Sequence, residues 1–248
     1  MKELFYGYYA THIYLPRLVL NNRWRRFYRP LRGKFLQPTF LPEVSWSSCS
    51  PSGMPRVWEP KHENGNVNIS ELGILSAFAA ACRNGSKLFE IGTFDGRTTL
   101  NLAMNAPGTC HIYTLDLPPD QATEYELLAG DRPLVEKAAS GLRYEKYRGV
   151  YPFEISRIHQ LLGDSATFDY SAYTGSCSLV FVDGSHSYEY ALSDTHAAMK
   201  IVEKGGIILW HDYGGWQGVT KALEELEQRE HFGLRHIRGT SLVFWRKE

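Results

Sequence analysis

Residues 87–116 read KLFEIGTFDGRTTLNLAMNAPGTCHIYTLD, and the succession of residue types along them decides the fold. Lys87 to Ile91 is an apolar run of strand length. Gly92 and Gly96 then let the backbone turn tightly, and Arg97 to Met104 resumes as a helix. Past Pro107 and Gly108, His111 to Asp116 is a second strand, ending on an acid. Strands joined through a helix run parallel, because the crossover returns the chain to the same end of the sheet.

The alternation extends outward from this unit. Upstream, Ile69 to Cys82 is a helix with Asn68 or Ser70 as N-cap and Gly85 just past its end. Downstream, residues 117–156 form a long polar excursion with one expected helix, Pro133 to Ser140, before a strand at Arg157 to Leu162. Ser178 to Val182 is a nearly continuous apolar strand, Tyr188 to Val202 a helix stopped by Gly205-Gly206, and Ile207 to Trp210 another strand. Val219 to Arg229 is a helix with acids and bases at four-residue spacing. Leu234 to Ile237 and Ser241 to Trp245, turning at Gly239, read as a hairpin. The fold class is therefore α/β: a doubly wound, mostly parallel sheet with a C-terminal antiparallel hairpin.

The composition conceals a split. Residues 1–34 carry eight basic side chains (Lys2, Arg17, Arg23, Arg25, Arg26, Arg29, Arg32, Lys34) against the single acid Glu3, a surplus of seven. The other 214 residues cancel it with 19 bases against 26 acids. Residues 1–66 thus read as a basic, aromatic arm followed by a Pro-rich linker, and 67–248 as the domain proper. With 43% hydrophobic and 22% charged residues, that body can bury a core, which excludes global disorder. No stretch reaches the roughly 18 apolar residues of a membrane span, and the N-terminus lacks a clean signal-peptide pattern. Four scattered cysteines without CxxC spacing agree with a reducing compartment, so a cytoplasmic protein is expected. G-x-S-x-G, G-x-x-x-x-G-K-[ST] and H-E-x-x-H motifs are all missing, which removes hydrolase and nucleotide-triphosphatase readings.

In sheets of this kind ligands bind beyond the carboxyl ends of the strands, so the residues there are the candidates. They are Glu90-Ile91-Gly92-Thr93-Phe94-Asp95-Gly96, then Asp116, Gly163-Asp164-Ser165, Asp183-Gly184-Ser185-His186, and His211-Asp212. Gly92 and Gly96 alone are a weak signal, being G-x-x-x-G where a dinucleotide turn has G-x-G-x-x-G. Asp116 is placed to accept both hydroxyls of a ribose. The order of acids and glycines, with the terminal hairpin, resembles the class I S-adenosylmethionine-dependent methyltransferases over residues 68–246. FEIGTFDGRTT (89–99) and FVDGSHSYE (181–189) are similar to the group with the macrocin-type sugar O-methyltransferases and the cephalosporin hydroxylase-like proteins.

That resemblance implies a Rossmann-like methyltransferase fold using S-adenosylmethionine. The loop from Glu90 through Gly92, Thr93 and Asp95 to Gly96 would hold its methionine part, Asp116 the ribose hydroxyls, and Asp164 with Ser165 the adenine edge. Asp183, His186, His211 and Asp212 close two adjacent strands and should converge. A divalent cation there would lower the pKa of an acceptor hydroxyl. Carboxylates suit Mg²⁺, whereas imidazole favours Mn²⁺, Fe²⁺ or Zn²⁺. By resemblance Asp183 and Asp212 are metal ligands and His186 the catalytic base, neutral at working pH. His211 stands where those relatives have an acid, and could ligate the metal, act as a second base or hydrogen-bond the loop.

Residues 117–156 would cover the substrate, with Tyr125, Tyr144, Tyr147 and Tyr151 available to stack on a sugar; packing against a second subunit is the other reading, and a homo-oligomer is expected. The arm is expected to dock on the acidic body, with an anionic membrane surface as the alternative and nucleic acid not expected. The function expected is therefore metal-assisted O-methylation of a sugar or related small molecule. A nicotinamide-dependent oxidoreductase and a non-catalytic cofactor-binding interaction protein are the competing readings.

Overall fold

The computed structural model describes residues 39–49, 55–61, 65–136 and 139–248; the basic arm of residues 1–34 lies outside them. The elements in chain order are β1 Glu43–Val44, α1 Trp46–Cys49, α2 Ile69–Ala80, β2 Lys87–Ile91, α3 Arg97–Asn105 and β3 His111–Asp116. Three short helices follow, α4 Arg132–Val135, α5 Leu142–Glu145 and α6 Pro152–Ser156, then β4 Ile158–Leu162 and β5 Cys177–Val182. The chain ends with α7 Tyr188–Ile201, β6 Val202–Trp210, α8 Gln217–Glu230, β7 Arg235–Ile237 and β8 Val243–Arg246.

The eight strands form one sheet in the order β1-β7-β8-β6-β5-β2-β3-β4. Pairs among β2 to β6 are parallel, and β8 runs antiparallel between β6 and β7. Alternation along the strands divides the core in two. Phe89, Ile91, Val180, Val182, Ile208 and Trp210 face α7 and α8, meeting Ala198, Ile201, Val219 and Leu223. Leu88, Ile112, Leu179, Phe181 and Leu209 point to the other side, against Leu72, Leu75 and Phe78 of α2 and Leu102 of α3. Both faces of the sheet are covered, which is why its strands are apolar almost throughout.

Three regions differ from the sequence reading. Strand β6 begins at Val202 rather than Ile207, with Gly205 and Gly206 inside it, because antiparallel pairing with β8 and its continuation, Gly205 N to Lys247 O at 2.8 Å and Lys247 N to Gly206 O at 3.0 Å, supports an extended path through the glycines. The excursion holds α4, α5 and α6 where one helix was expected, each of five residues or fewer and too short to leave a period. The linker joins the sheet: β1 pairs in parallel with β7, and Leu41 lies in the core.

A buried arginine ties the linker to the body. Arg97 opens α3, and its guanidinium donates to the carbonyls of Glu59 at 2.6 Å, Val67 at 2.8 Å and Pro60 at 3.3 Å. Replacing it leaves those acceptors without donors in a place water reaches poorly. Arg97→Met is expected to lower stability by about 3 kcal/mol, read as a lower urea midpoint with an unchanged slope.

Candidate active site

Strand order reverses between β2 and β5: from β2 the sheet continues to β3 and β4, and from β5 to β6. Their carboxyl ends therefore part around a crevice. Gly92, at φ +100°, lies so close to Asp183 that a Cβ would overlap that residue's carbonyl carbon and oxygen. Asp183 N donates to Ile91 O at 2.9 Å, which joins the ends of β2 and β5, and Gly92 N donates to Leu115 O at 2.8 Å, which ties the turn to β3. Gly96, at φ +85°, is the N-cap of α3.

The residues of the glycine turn play unequal parts. Glu90 is fully buried; its Oε2 accepts from Thr114 at 2.6 Å and from Thr99, while Oε1 has no partner. Burial pushes its carboxyl up to about 8 despite those two hydroxyls. The Thr93 hydroxyl turns inward, 2.7 Å from that of Thr114 and 3.0 Å from the Gln160 amide that donates to it. Asp95 accepts from Arg97 N at 3.0 Å, Asn66 at 3.1 Å and Arg143 Nε at 2.8 Å, so its side chain braces the turn. Beyond β3, Asp116 accepts from Ser140, and Asp164 accepts from the backbone of Glu124 at 2.6 Å and Ala166 at 3.0 Å and from the Tyr190 hydroxyl at 3.0 Å. Ser165 is half-buried, its carbonyl accepting from Tyr170 at 3.1 Å. The unpartnered Glu90 oxygen and the space kept free of a Cβ at Gly92 fit a ligand laid along this turn.

At the ends of β5 and β6 the ligating atoms of Asp183, His211 and Asp212 all lie within 4.8 Å of one another. His211 Nδ1 is 2.9 Å from Asp183 Oδ1 and 3.2 Å from Asp212 Oδ2, yet neither is aligned for a hydrogen bond. Its other nitrogen donates to Glu71 at 3.2 Å. Burial would lower the ring's pKa, but Asp183, Asp212 and Glu71 outweigh it and hold the pKa well above the usual histidine range. Asp212 adopts φ +64°, a costly conformation for a residue with a Cβ, which turns its carboxyl back toward His186 and His211.

His186 is gripped at both nitrogens, by Asp131 at Nδ1 and by Asp212 Oδ2 at Nε2, 2.8 Å away, and it stacks on Trp216 with ring centroids 4.2 Å apart. Burial opposes its charge, but the two carboxylates raise its pKa to about 10. One of those carboxylates is Asp131, which the excursion contributes and which also takes the Ser185 hydroxyl at 2.7 Å. Four carboxylates, from Glu71, Asp131, Asp183 and Asp212, surround two imidazoles, so the centre keeps an excess of negative charge that suits a cation.

Asp131 and Glu71 did not stand out among the sequence candidates. Nothing local marks Asp131, whereas Glu71 had a signal: Asn68-Ile-Ser-Glu71 is a capping-box pattern, and Glu71 Oε2 accepts from Asn68 N at 2.9 Å. The excursion crosses the site through Ser140 on Asp116, Gly141 N on Phe94 O at 3.0 Å and Arg143 N on Asp95 O at 2.8 Å. Its tyrosines mostly look elsewhere. Tyr144 is buried with its hydroxyl on Gln160 at 2.8 Å, Tyr147 donates to Glu59 at 2.8 Å, and Tyr151 meets Trp58 edge-on; Tyr125 packs edge-on against Tyr190. All four cysteines are free, and no helix among the described residues is long and apolar enough to cross a membrane.

The family model described as a methyltransferase domain matches residues 89–213, from Phe89 in β2 to Tyr213 just after β6. Among solved structures, the SAH-bound methyltransferase PaMTH1 of Podospora anserina is 16% identical with a TM-score of 0.54, over 74% of this chain and 80% of that one. A Corynebacterium glutamicum protein is 17% identical with a TM-score of 0.52, over 74% and 83%. The O-methyltransferase NovP is 16% identical with a TM-score of 0.51, over 73% and 80%. At these identities the likeness is one of fold. No curated protein matches the chain.

Proposed function

Since the chain belongs to the methyltransferase-domain family and is a class I S-adenosylmethionine-dependent methyltransferase, we propose that it methylates a hydroxyl of a sugar or related small molecule, with a divalent cation held by Asp183, His211 and Asp212. The observation that carries this reading is the convergence of those three ligating atoms within 4.8 Å beside the crevice between β2 and β5. Bound S-adenosylmethionine supplies an electrophilic methyl group, and a bound Mg²⁺ or Mn²⁺ supplies Lewis acidity toward the acceptor oxygen.

The chain's own residues do the rest. The turn from Glu90 through Gly92 to Gly96 cradles the methionine part, Thr93 and Asp95 holding its shape. Asp116 receives the ribose hydroxyls in exchange for Ser140, and Asp164 with Ser165 borders the adenine. His186 is the group placed to accept the acceptor's proton at Nε2, which it does in its neutral form with Asp131 keeping Nδ1–H in place. With both bound, the acceptor oxygen would take the methyl group from sulfur as its proton passes to His186, and S-adenosylhomocysteine would leave. Residues 117–156 exclude water by covering the crevice.

Thermal melts discriminate the cofactor. S-adenosylmethionine at a hundred times its Kd should stabilise by about 2.7 kcal/mol and raise Tm by roughly 5–10 °C. NAD or NADP at the same concentration should leave Tm unchanged; a shift with either instead would favour the oxidoreductase reading. Product mass on a panel of sugars and phenols then tests the acceptor, and binding without turnover on any of them would favour the non-catalytic reading.

A further inference from the structure

His211 is the one imidazole of the three-residue cluster with Asp183 and Asp212, and an acid from a distant helix stands behind it. Glu71, in the first turn of α2, is 1% exposed. Its Oε2 accepts from Asn68 N at 2.9 Å and His211 Nε2 at 3.2 Å; its Oε1 accepts from Ser241 N at 2.6 Å and Ser241 Oγ at 2.9 Å. All four partners donate. The Ser241 hydroxyl also accepts from Asp212 N at 3.3 Å, so Glu71 reaches both residues at the end of β6.

This arrangement decides which nitrogen of His211 can ligate. A carboxylate only accepts, so Nε2 carries a hydrogen and Nδ1 faces the carboxylate oxygens of Asp183 and Asp212. Nδ1 and those two carboxylate oxygens therefore share one small space, which either the ring's own proton or a bound cation can occupy, and a cation taken up there would meet Nδ1 as its imidazole ligand. We infer that Glu71 is a positioning residue that fixes His211 as an Nδ1 ligand and thereby makes the centre favour an imidazole-accepting cation such as Mn²⁺ or Zn²⁺ over Mg²⁺. The inference rests on the metal reading above. Its physical basis is the outer partner of a ligating histidine, which holds the ring's orientation and raises its basicity.

The test is metal binding by the full chain, measured by calorimetry with MnCl₂ and with MgCl₂. Wild type should bind one Mn²⁺ at least about tenfold more tightly than Mg²⁺. In Glu71→Gln one end of the side chain must turn an NH₂ toward donors, and Mn²⁺ affinity should fall about 10–100-fold with Mg²⁺ affinity changing less. Ser241→Ala removes the hydroxyl's contacts to Glu71 and to Asp212 N but keeps that of Glu71 to His211, and should lower Mn²⁺ affinity less than Glu71→Gln does; an equal or larger loss would overturn the special role of the Glu71 contact to His211. A folded Glu71→Gln with Mn²⁺ affinity within about twofold of wild type overturns the inference. Should that variant not fold, ¹⁵N spectra of the wild-type histidines loaded with Zn²⁺ decide: a ligated Nδ1 and protonated Nε2 on His211 support the assignment, and a ligated Nε2 overturns it. Wild type that binds none of these cations would sink the metal reading itself.

Discussion

Replacing Asp183 and Asp212 together by alanine is expected to leave a folded protein that binds S-adenosylmethionine within a few-fold of wild type yet transfers methyl groups at least about a thousandfold more slowly. The two carboxylates are the acidic members of the three-residue cluster with His211. Their removal takes away the charge that attracts a cation and the group that faces His186 Nε2 at 2.8 Å. A thousandfold corresponds to about 4 kcal/mol of barrier, of the order that activating a hydroxyl by a cation supplies. The fold should survive because the strand ends are joined through backbone groups: Asp183 N to Ile91 O and His211 N to Val182 O, at 2.9 and 3.0 Å. Single-turnover transfer and calorimetric cofactor binding measured on one preparation separate the two effects. A double variant that still turns over at more than about a tenth of the wild-type rate would sink the metal-assisted mechanism.

Among the described glycines, Gly92→Ala is expected to be the most damaging addition of a methyl group, costing at least about 4 kcal/mol and abolishing cofactor binding even where some protein still folds. Two effects add. The backbone at φ +100° is open to glycine and nearly closed to other residues, and the new Cβ would overlap the carbonyl of Asp183. Relief would require β2 and β5 to separate at the crevice, moving Asp183 away from His211. A melting temperature lower by roughly 10–15 °C, or recovery only in aggregates, is the expected readout. Gly73→Ala is the matched control, because a Cβ there meets nothing within 4 Å. A Gly92→Ala protein as stable as that control would show that the two strand ends are not held as close as described.

The alternation of β2, α3 and β3 was legible because each element carries its own local mark: strand-length apolar runs, paired glycines and a helix between. Asp183, His211 and Asp212 could be grouped in advance because neighbouring parallel strands end side by side, so chain position alone sets their proximity. Asp131 could not, since it lies in an aperiodic stretch and meets His186 only through tertiary packing 55 residues away. The surroundings of His186 were hidden for the same reason: one of its two carboxylate partners is a residue that nothing near it in sequence foretells. Glu71 lay between these cases. Its capping-box spacing marked a helix start, but not that its oxygens would serve His211 and Ser241 as well. The linker hid β1, because two residues cannot display a period of two.

That two-residue strand has a role beyond the site. A sheet ending at β7 would present open backbone donors and acceptors to any other extended chain. Parallel pairing along Glu43 and Val44 occupies that margin, with His236 N on Pro42 O and Arg238 N on Val44 O, both at 2.9 Å. Being so short, β1 offers almost no further edge for a stranger to extend. A gene trimmed to begin at residue 67 would keep the candidate site and leave the backbone groups of β7 that now pair with residues 42–44 open to another extended chain.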